Sequence, residues 1–250
     1  MMSEILAADN LSKMFKQGVK AIHAIRDTGF SLGEQERIVI HGPSGAGKST
    51  LLHVLAGLDR PTSGSVVFRG RDIYAMSDRK RSALRNRSFG FVFQFYHLLP
   101  ELNVFENVMM PAMIRGEERS GHIRSRAVYL LEKVGMKDRL RHRPSMLSGG
   151  ESQRTAIARA LMNSTDILFC DEPTGNLDSE MRRDIYAVIR EVSEEKKMSV
   201  IVVSHQAVGE EDFWNTRYMM KDGALKKVSE YQSARVSKKE RIINGIESLS

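Results

Sequence analysis

Residues 42 to 49 read Gly42-Pro43-Ser44-Gly45-Ala46-Gly47-Lys48-Ser49 and satisfy the pattern G-x-x-x-x-G-K-[ST] at every fixed position. The apolar run Ile38-Val39-Ile40 leads into this stretch, and Thr50-Leu51-Leu52-His53-Val54-Leu55 leads out of it with helix-like character. The order is strand, glycine-rich loop, helix, and it commits the surrounding chain to an α/β arrangement. Glycines let the backbone curl so that successive N–H groups face an anion, and the helix N-terminus adds partial positive charge. Lys48 is then placed to reach the β- and γ-phosphates of a nucleotide, and the Ser49 hydroxyl to ligate Mg²⁺. An ordinary Gly/Ser turn needs no Lys-Ser pair in this register. Gly42 to Thr50 is therefore read as a cradle for a nucleoside triphosphate.

A chain of 250 residues is long enough to bury a substantial core, as one large domain or one domain with a subdomain. One cysteine, Cys170, excludes an intramolecular disulfide and a Cys-rich zinc site, and fits a reducing compartment. The opening Met1-Met2-Ser3-Glu4 does not resemble a secretory signal. No apolar run approaches the roughly 20 residues that cross a bilayer, so a membrane role is expected to be peripheral. The net charge of +7 admits a nucleic-acid surface or a solvated basic one. The cluster Arg79-Lys80-Arg81…Arg85…Arg87 has helical spacing, which a solvated helix face explains, and no direct nucleic-acid contact is expected.

Along the chain, Ile5 to Phe30 reads as strands and turns with Gly18 and Gly29 as breakers. Glu36–His41 and Phe89–Phe93 are expected strands, and Ser65–Phe68 another after a turn at Pro61–Gly64. From about Val104 to Pro144 the pattern turns helical, with Ile123, Ala127, Leu130, Leu131 and Val134 on one face. A helical subdomain is expected over about residues 89–160. Gln153 to Leu161 is an expected helix, Ile167 to Cys170 a buried strand, and Met181, Ile185, Val188, Ile189 and Val192 an apolar helix stripe. The strand Ser199–Ser204 follows, then a hairpin turning at Asp222-Gly223. Residues 229–250 read as a polar, basic tail after a domain spanning 1–228.

Two further motifs carry chemistry. The strand Ile167–Cys170 delivers Asp171-Glu172 at its carboxyl end, where α/β sheets place ligands. Asp171 is suited to hold Mg²⁺ and Glu172 to orient or deprotonate a water that attacks the γ-phosphorus. Leu147-Ser148-Gly149-Gly150-Glu151 precedes a helix and forms a second anion-facing N-terminus, or else an ordinary Ser cap. One nucleotide does not need two separate cradles, so the second points to a nucleotide held by another molecule.

In this order the motifs resemble those of the ATP-binding-cassette (ABC) ATPases: the phosphate loop, Gln94 after a strand, Ser148-Gly149-Gly150, Asp171-Glu172, Asn176-Leu177-Asp178 and Ser204-His205. The resemblance covers roughly residues 5 to 228. It implies a phosphate-loop NTPase core with an antiparallel β subdomain and a helical subdomain. It further implies ATP and Mg²⁺ as ligands, and a head-to-tail dimer with two ATP molecules at the interface. In each site Gly42–Ser49 of one subunit would face Ser148-Gly149-Gly150 of the other, with Asp178 at the boundary. By the same resemblance Gln94 contacts Mg²⁺ and the lytic water, His205 contacts the γ-phosphate, and Phe15 stacks on adenine.

Within the family the local wording is similar to lipoprotein-releasing transporter ATPases. This similarity is carried by Gln94-Phe95-Tyr96-His97-Leu98-Leu99-Pro100, Glu106-Asn107-Val108 and His142-Arg143-Pro144-Ser145, and by Glu172-Pro173-Thr174-Gly175-Asn176-Leu177-Asp178, which macrolide-export and cell-division relatives share. It implies an ATPase subunit at the cytoplasmic face of the inner membrane, attached to integral-membrane permease subunits and powering lipoprotein release or the export of another amphiphile. Three departures stand out. Phe15 replaces a more usual Tyr, Ser152 stands where Arg is common, and Gln206 follows His205 where Asp is common. The rival expectation is an ABC-type ATPase acting on DNA or ribosomes. Such relatives usually carry coiled coils, zinc modules or two cassettes in one chain, none of which is written in this sequence.

Overall fold

The computed structural model describes residues 3–18, 20–116, 119–205 and 213–230. Two long strands, β1 (Glu4–Gln17) and β2 (Lys20–Gly33), pair antiparallel across the turn containing Gly18. Gly29 does not break the second strand as expected. Opposite it the register slips between Ala8 and Leu11, so two residues of β1 face one of β2. A glycine inside a strand here accompanies a bulge.

β3 (Arg37–His41) runs into the phosphate loop, and α1 (Lys48–Leu55) leads away from it. β4 (Ser63–Phe68) and β5 (Arg71–Asp72) complete a four-stranded antiparallel sheet of order β2-β1-β4-β5. α2 (Asp78–Ser88) carries the basic cluster: Arg79, Lys80 and Arg87 are exposed, while Arg81 turns inward against Asp78.

β6 (Phe89–Phe93), α3 (Val104–Arg115), α4 (Ser120–Lys133), α5 (Gly149–Ala160) and β7 (Ile167–Asp171) follow. The expected start of the helical subdomain at residue 89 needs correction. Phe89–Phe93 pairs parallel with β7 and belongs to the main sheet, because its alternating apolar residues are covered from both sides. The helical layer begins beyond it, and α5 starts at Gly149 rather than Gln153.

The last elements are α6 (Ser179–Lys196), β8 (Ser199–Ser204), β9 (Thr216–Lys221) and β10 (Ala224–Glu230). The expected stripe on α6 is buried at Ile185, Ile189 and Val192, and Tyr186 joins them. Met181, the first residue of that stripe, is instead exposed, lying on the surface beside Gly150. The Asp222-Gly223 turn closes the β9–β10 hairpin with positive φ at both residues, 49° and 81°. The expected tail, from residue 231 on, and Gln206 fall outside the described residues.

The six-stranded sheet has the order β10-β9-β3-β8-β7-β6, parallel except for β10. Alternate residues of its strands feed two cores. Val39, Val92, Leu168, Val200 and Val202 pack under the helices α3 to α6. Ile38, Ile40, Phe169, Ile201 and Val203 pack against α1 and the antiparallel sheet. Four neighbouring strands, β3, β8, β7 and β6, therefore end side by side at one edge, where the candidate residues lie.

Candidate nucleotide site

The phosphate loop takes a shape that only glycine permits at its two tightest points. Gly42 and Gly47 have φ of 158° and 101°. A Cβ on Gly42 would lie 2.0 Å from the Met220 carbonyl oxygen, and one on Gly47 would lie 2.0 Å from that of Ala24. Gly47 is also the N-cap of α1 and supplies no side-chain cap. The first N–H groups of a helix have no partner within it. Here they open onto a cleft of about 710 Å³ lined by Ser44, Gly45, Gly47, Lys48, Ser49 and Thr50 on one side.

Lys48 is buried, and its Nζ donates to the carbonyls of Gly42 and Pro43, each at 2.9 Å. Burial lowers its pKa, and the nearby carboxylates of Glu172 and Asp171 oppose that shift. Glu172 Oε1 stands 3.9 Å from Nζ. The Ser49 hydroxyl donates to Asp171 Oδ1 at 2.8 Å, which joins the end of β7 to the start of α1. His53, one turn further along α1, places Nε2 3.4 Å from Asp171 Oδ2.

Glu172 has a left-handed φ of 47°, a strained conformation for a residue with a side chain. Its amide donates to the Val203 carbonyl at 3.0 Å, which anchors the turn to β8. Its Oε2 shares a hydrogen bond with Nδ1 of His205 at the end of β8. Gln94 follows β6, lines the same cleft and donates to Asn176 Oδ1 at 3.4 Å. Phe15, 41% exposed, forms the far wall of the cleft on β1. Lys13 Nζ lies 4.8 Å from its ring centroid.

Lys48, Ser49, Glu172, Gln94 and Phe15 thus line one cleft, with Asp171 bonded to Ser49 and His205 to Glu172 just behind it. Ser148, Gly149, Gly150 and Asp178 are not among the residues that line it. Ser148 caps α5 through a reciprocal box: its Oγ accepts from the Glu151 amide at 3.2 Å, and Glu151 accepts from the Ser148 amide at 2.8 Å. Asp178 caps α6, accepting from the amides of Glu180 and Met181 at 3.0 and 2.9 Å.

Sequence reasoning missed His23, Arg26 and the Asp222-Gly223 turn as cleft lining. The hairpin signature was readable, but not its docking. Gly223 donates to the Ala46 carbonyl at 3.1 Å and accepts from the Arg26 amide at 2.8 Å. The turn therefore ties the phosphate loop to β2. His53 carried no signal beyond its place on the apolar helix.

Fold and site together define a phosphate-loop nucleotide-binding cassette. The profile described as ABC transporter matches residues 25–175. The chain is 46% identical over 201 residues to the lipoprotein-releasing system ATP-binding protein LolD of Wigglesworthia glossinidia brevipalpis, covering 80% of this chain and 87% of that protein. It is similar in structure to the dimeric post-hydrolysis state of the ATP-binding cassette MJ0796 bound to ADP and Pi, with a TM-score of 0.83 at 33% identity. A second dimeric structure of MJ0796, a bacterial ABC transporter cassette, gives a TM-score of 0.83 at 34% identity. Each covers 91% of this chain and 100% of its own. The chain belongs to the ABC transporter family, as its ATP-binding, ATP-hydrolysing subunit.

Proposed function

We propose that the chain powers lipoprotein release from the inner membrane, working as a head-to-tail dimer on the cytoplasmic face beneath integral-membrane permease subunits. The observation that carries the catalytic part is the convergence of Lys48, the Ser49–Asp171 pair, the Glu172–His205 pair and Gln94 at one sheet edge. Phe15 offers its exposed ring to the adenine, and Gly42 to Thr50 cradle the phosphates with Lys48 at the β/γ pair. Mg²⁺ fits the donor set, since a hydroxyl and a carboxylate meet at Ser49 and Asp171 and Gln94 adds an amide oxygen. The ion supplies charge neutralisation to the triphosphate when bound.

Glu172 takes a proton from the attacking water as its oxygen bonds the γ-phosphorus. The bond from that phosphorus to the bridging oxygen breaks, leaving ADP and phosphate. His205 holds the Glu172 carboxylate in direction through the shared hydrogen bond, and is positioned to meet the γ-phosphate. Ser148-Gly149-Gly150 and Asp178, which lie away from the cleft, are offered to the nucleotide of a second copy. The similar MJ0796 cassette, a dimer bound to ADP and Pi, supports this arrangement. ATP closes the pair because it binds the closed state better than the open one, and hydrolysis releases it.

Among the described residues no helix is long and apolar enough to cross a membrane. Phe95, Leu99, Met113 and Ile114 are exposed, and Ile114 lines a groove of about 450 Å³ together with Phe91, Phe93, Met110 and Pro111. Exposed apolar side chains beside Gln94 suit a short permease helix. The likeness to LolD supports lipoprotein as the cargo. The test is co-expression with the cognate permease. The chain should reach the membrane only with it, gain ATPase activity in the complex, and lose that gain when Leu98 and Leu99 are replaced by Asp. High affinity of the chain alone for anionic vesicles or DNA at physiological salt would overturn the reading.

A further inference from the structure

Arg159 lies near the C-terminal end of α5, the helix that Ser148 caps at its other end. Its guanidinium is half-buried and directs its bonds to main-chain carbonyls. Nη1 donates to the His97 carbonyl at 2.5 Å and Nη2 to the Tyr96 carbonyl at 2.6 Å. Both residues lie in the left-handed region, Tyr96 with φ of 60° and His97 with φ of 47°. The His97 amide donates back to the Phe95 carbonyl at 2.5 Å, which closes a three-residue turn centred on Tyr96. A turn of that kind with positive φ is the rare, strained form and persists only where the surroundings hold it. A cation bridging two carbonyls is such a hold, since each bond is charge-assisted.

The rest of the segment is gripped as firmly. Asn107 of α3 is fully buried, accepts from the Leu99 amide at 2.8 Å and donates to the Leu99 and Leu102 carbonyls, each at 3.1 Å. The Tyr96 phenol rests against Gly149, where an added Cβ would sit 2.9 Å from its oxygen. The segment after Gln94 is therefore bound to α3 and α5 as well as to β6, where the Tyr96 amide donates to the Phe93 carbonyl at 3.2 Å and the His97 ring lies 4.8 Å from that of Phe93.

We propose that Arg159 is a positioning residue for Gln94. By clamping the strained turn at Tyr96 and His97 onto α5, it links the loop that carries Gln94 out of β6 to the helical layer. Gln94 then enters or leaves the cleft as α5 moves, and the Ser148 end of α5 travels with it. The inference rests on the proposed role of Gln94 at the γ-phosphate.

The test uses the full chain with Mg·ATP. Arg159→Lys keeps the charge but cannot bridge two carbonyls in a plane. Its kcat should fall about tenfold with KM changed by less than about twofold, the pattern of a lost transition-state contact. In a Gln94→Ala background the same substitution should alter kcat by less than about twofold, because the residue it positions is gone. Equal losses in both backgrounds, a loss confined to KM, or wild-type kinetics of the lysine variant would overturn the proposal. A Gln94→Ala chain with wild-type kcat would instead remove the role of Gln94, and the positioning with it. Should the lysine variant fail to fold, hydrogen exchange on the wild-type chain decides. Amides of 95–99 and of the first turn of α5 should respond to Mg·ATP together, and a response in one without the other overturns the coupling.

Discussion

Two helix N-termini in this molecule start from similar wording and end differently. α1 begins at Gly47, which has no side chain to cap it, and its first amides open onto the cleft. α5 begins at Ser148, whose hydroxyl and Glu151 carboxylate satisfy two end groups reciprocally. The first is held in shape by contacts from distant parts of the chain, at Ala24, Met220 and Gly223. The second is held by its own neighbours. Glycine-rich helix starts are thus not equivalent anion sites. A start without a side-chain cap, with a lysine and two carboxylates beside it, gathers cation, acids and free amides at one cleft of a single chain. A self-capped start with exposed glycine flanks is an incomplete one, suited to finishing a site elsewhere.

The largest effect that tests this contrast is on catalysis at the first site. Glu172→Gln preserves size but removes the base, so phosphate release should slow by about 10²–10⁴-fold while calorimetry finds ATP binding intact. Near-normal turnover would show that the strained Glu172 serves only to shape the turn. Next comes Lys48→Ala, which removes the cation between the loop carbonyls and Glu172. ATP affinity should drop about tenfold or more, read by titration calorimetry. An unchanged affinity would mean that the backbone cradle of α1 suffices.

The second site is broken by assembly, not by binding. In the Glu172→Gln background, saturating ATP should give a dimer by analytical ultracentrifugation, and Ser148→Arg should return it to monomer with ATP affinity intact. A persistent dimer would show that α5 does not face the other copy.

The smallest effect concerns the cap itself. The Ser148 amide and then the Arg139 side chain lower the Glu151 pKa, so its folded value lies below the unfolded one. The stability it contributes is present above the ordinary carboxylate pKa of about 4.3 and is lost as pH falls through the depressed value. Ser148→Ala should cost about 1 kcal/mol in urea unfolding at neutral pH. Glu151→Gln should flatten the acid limb, and a variant with the parent's acid limb would refute that source.

Legibility differed between the regions for physical reasons. Phosphate-loop glycines, the acids at the end of β7 and the Asp222-Gly223 turn announce themselves because backbone dihedrals and strand ends impose composition locally. The stripe on α4 was readable because burial repeats with the helical period, and Ile123, Ala127, Leu130, Leu131 and Val134 are all buried. Gly29 misled because a glycine marks a bulge or a break with the same letter. Met181 misled because an apolar residue at the right period can point out at a helix end. Arg159 gave no signal at all, since its partners are carbonyls, which every residue carries.

By itself the sequence determined that a strand, a glycine-rich loop and a helix would follow one another, that two acids would close a buried strand, and that Ser148 could cap a helix. These follow from local sterics and from hydrogen bonds between near neighbours. Only the tertiary structure decided the strand order β3-β8-β7-β6, which sets Ser49 against Asp171 and His205 against Glu172. It likewise set the Asp222-Gly223 turn onto the phosphate loop, and Arg159 onto the loop after Gln94. The physical reason is sequence distance. Those contacts join residues far apart in the chain, and are fixed by how the sheet buries both its faces, which no local pattern encodes.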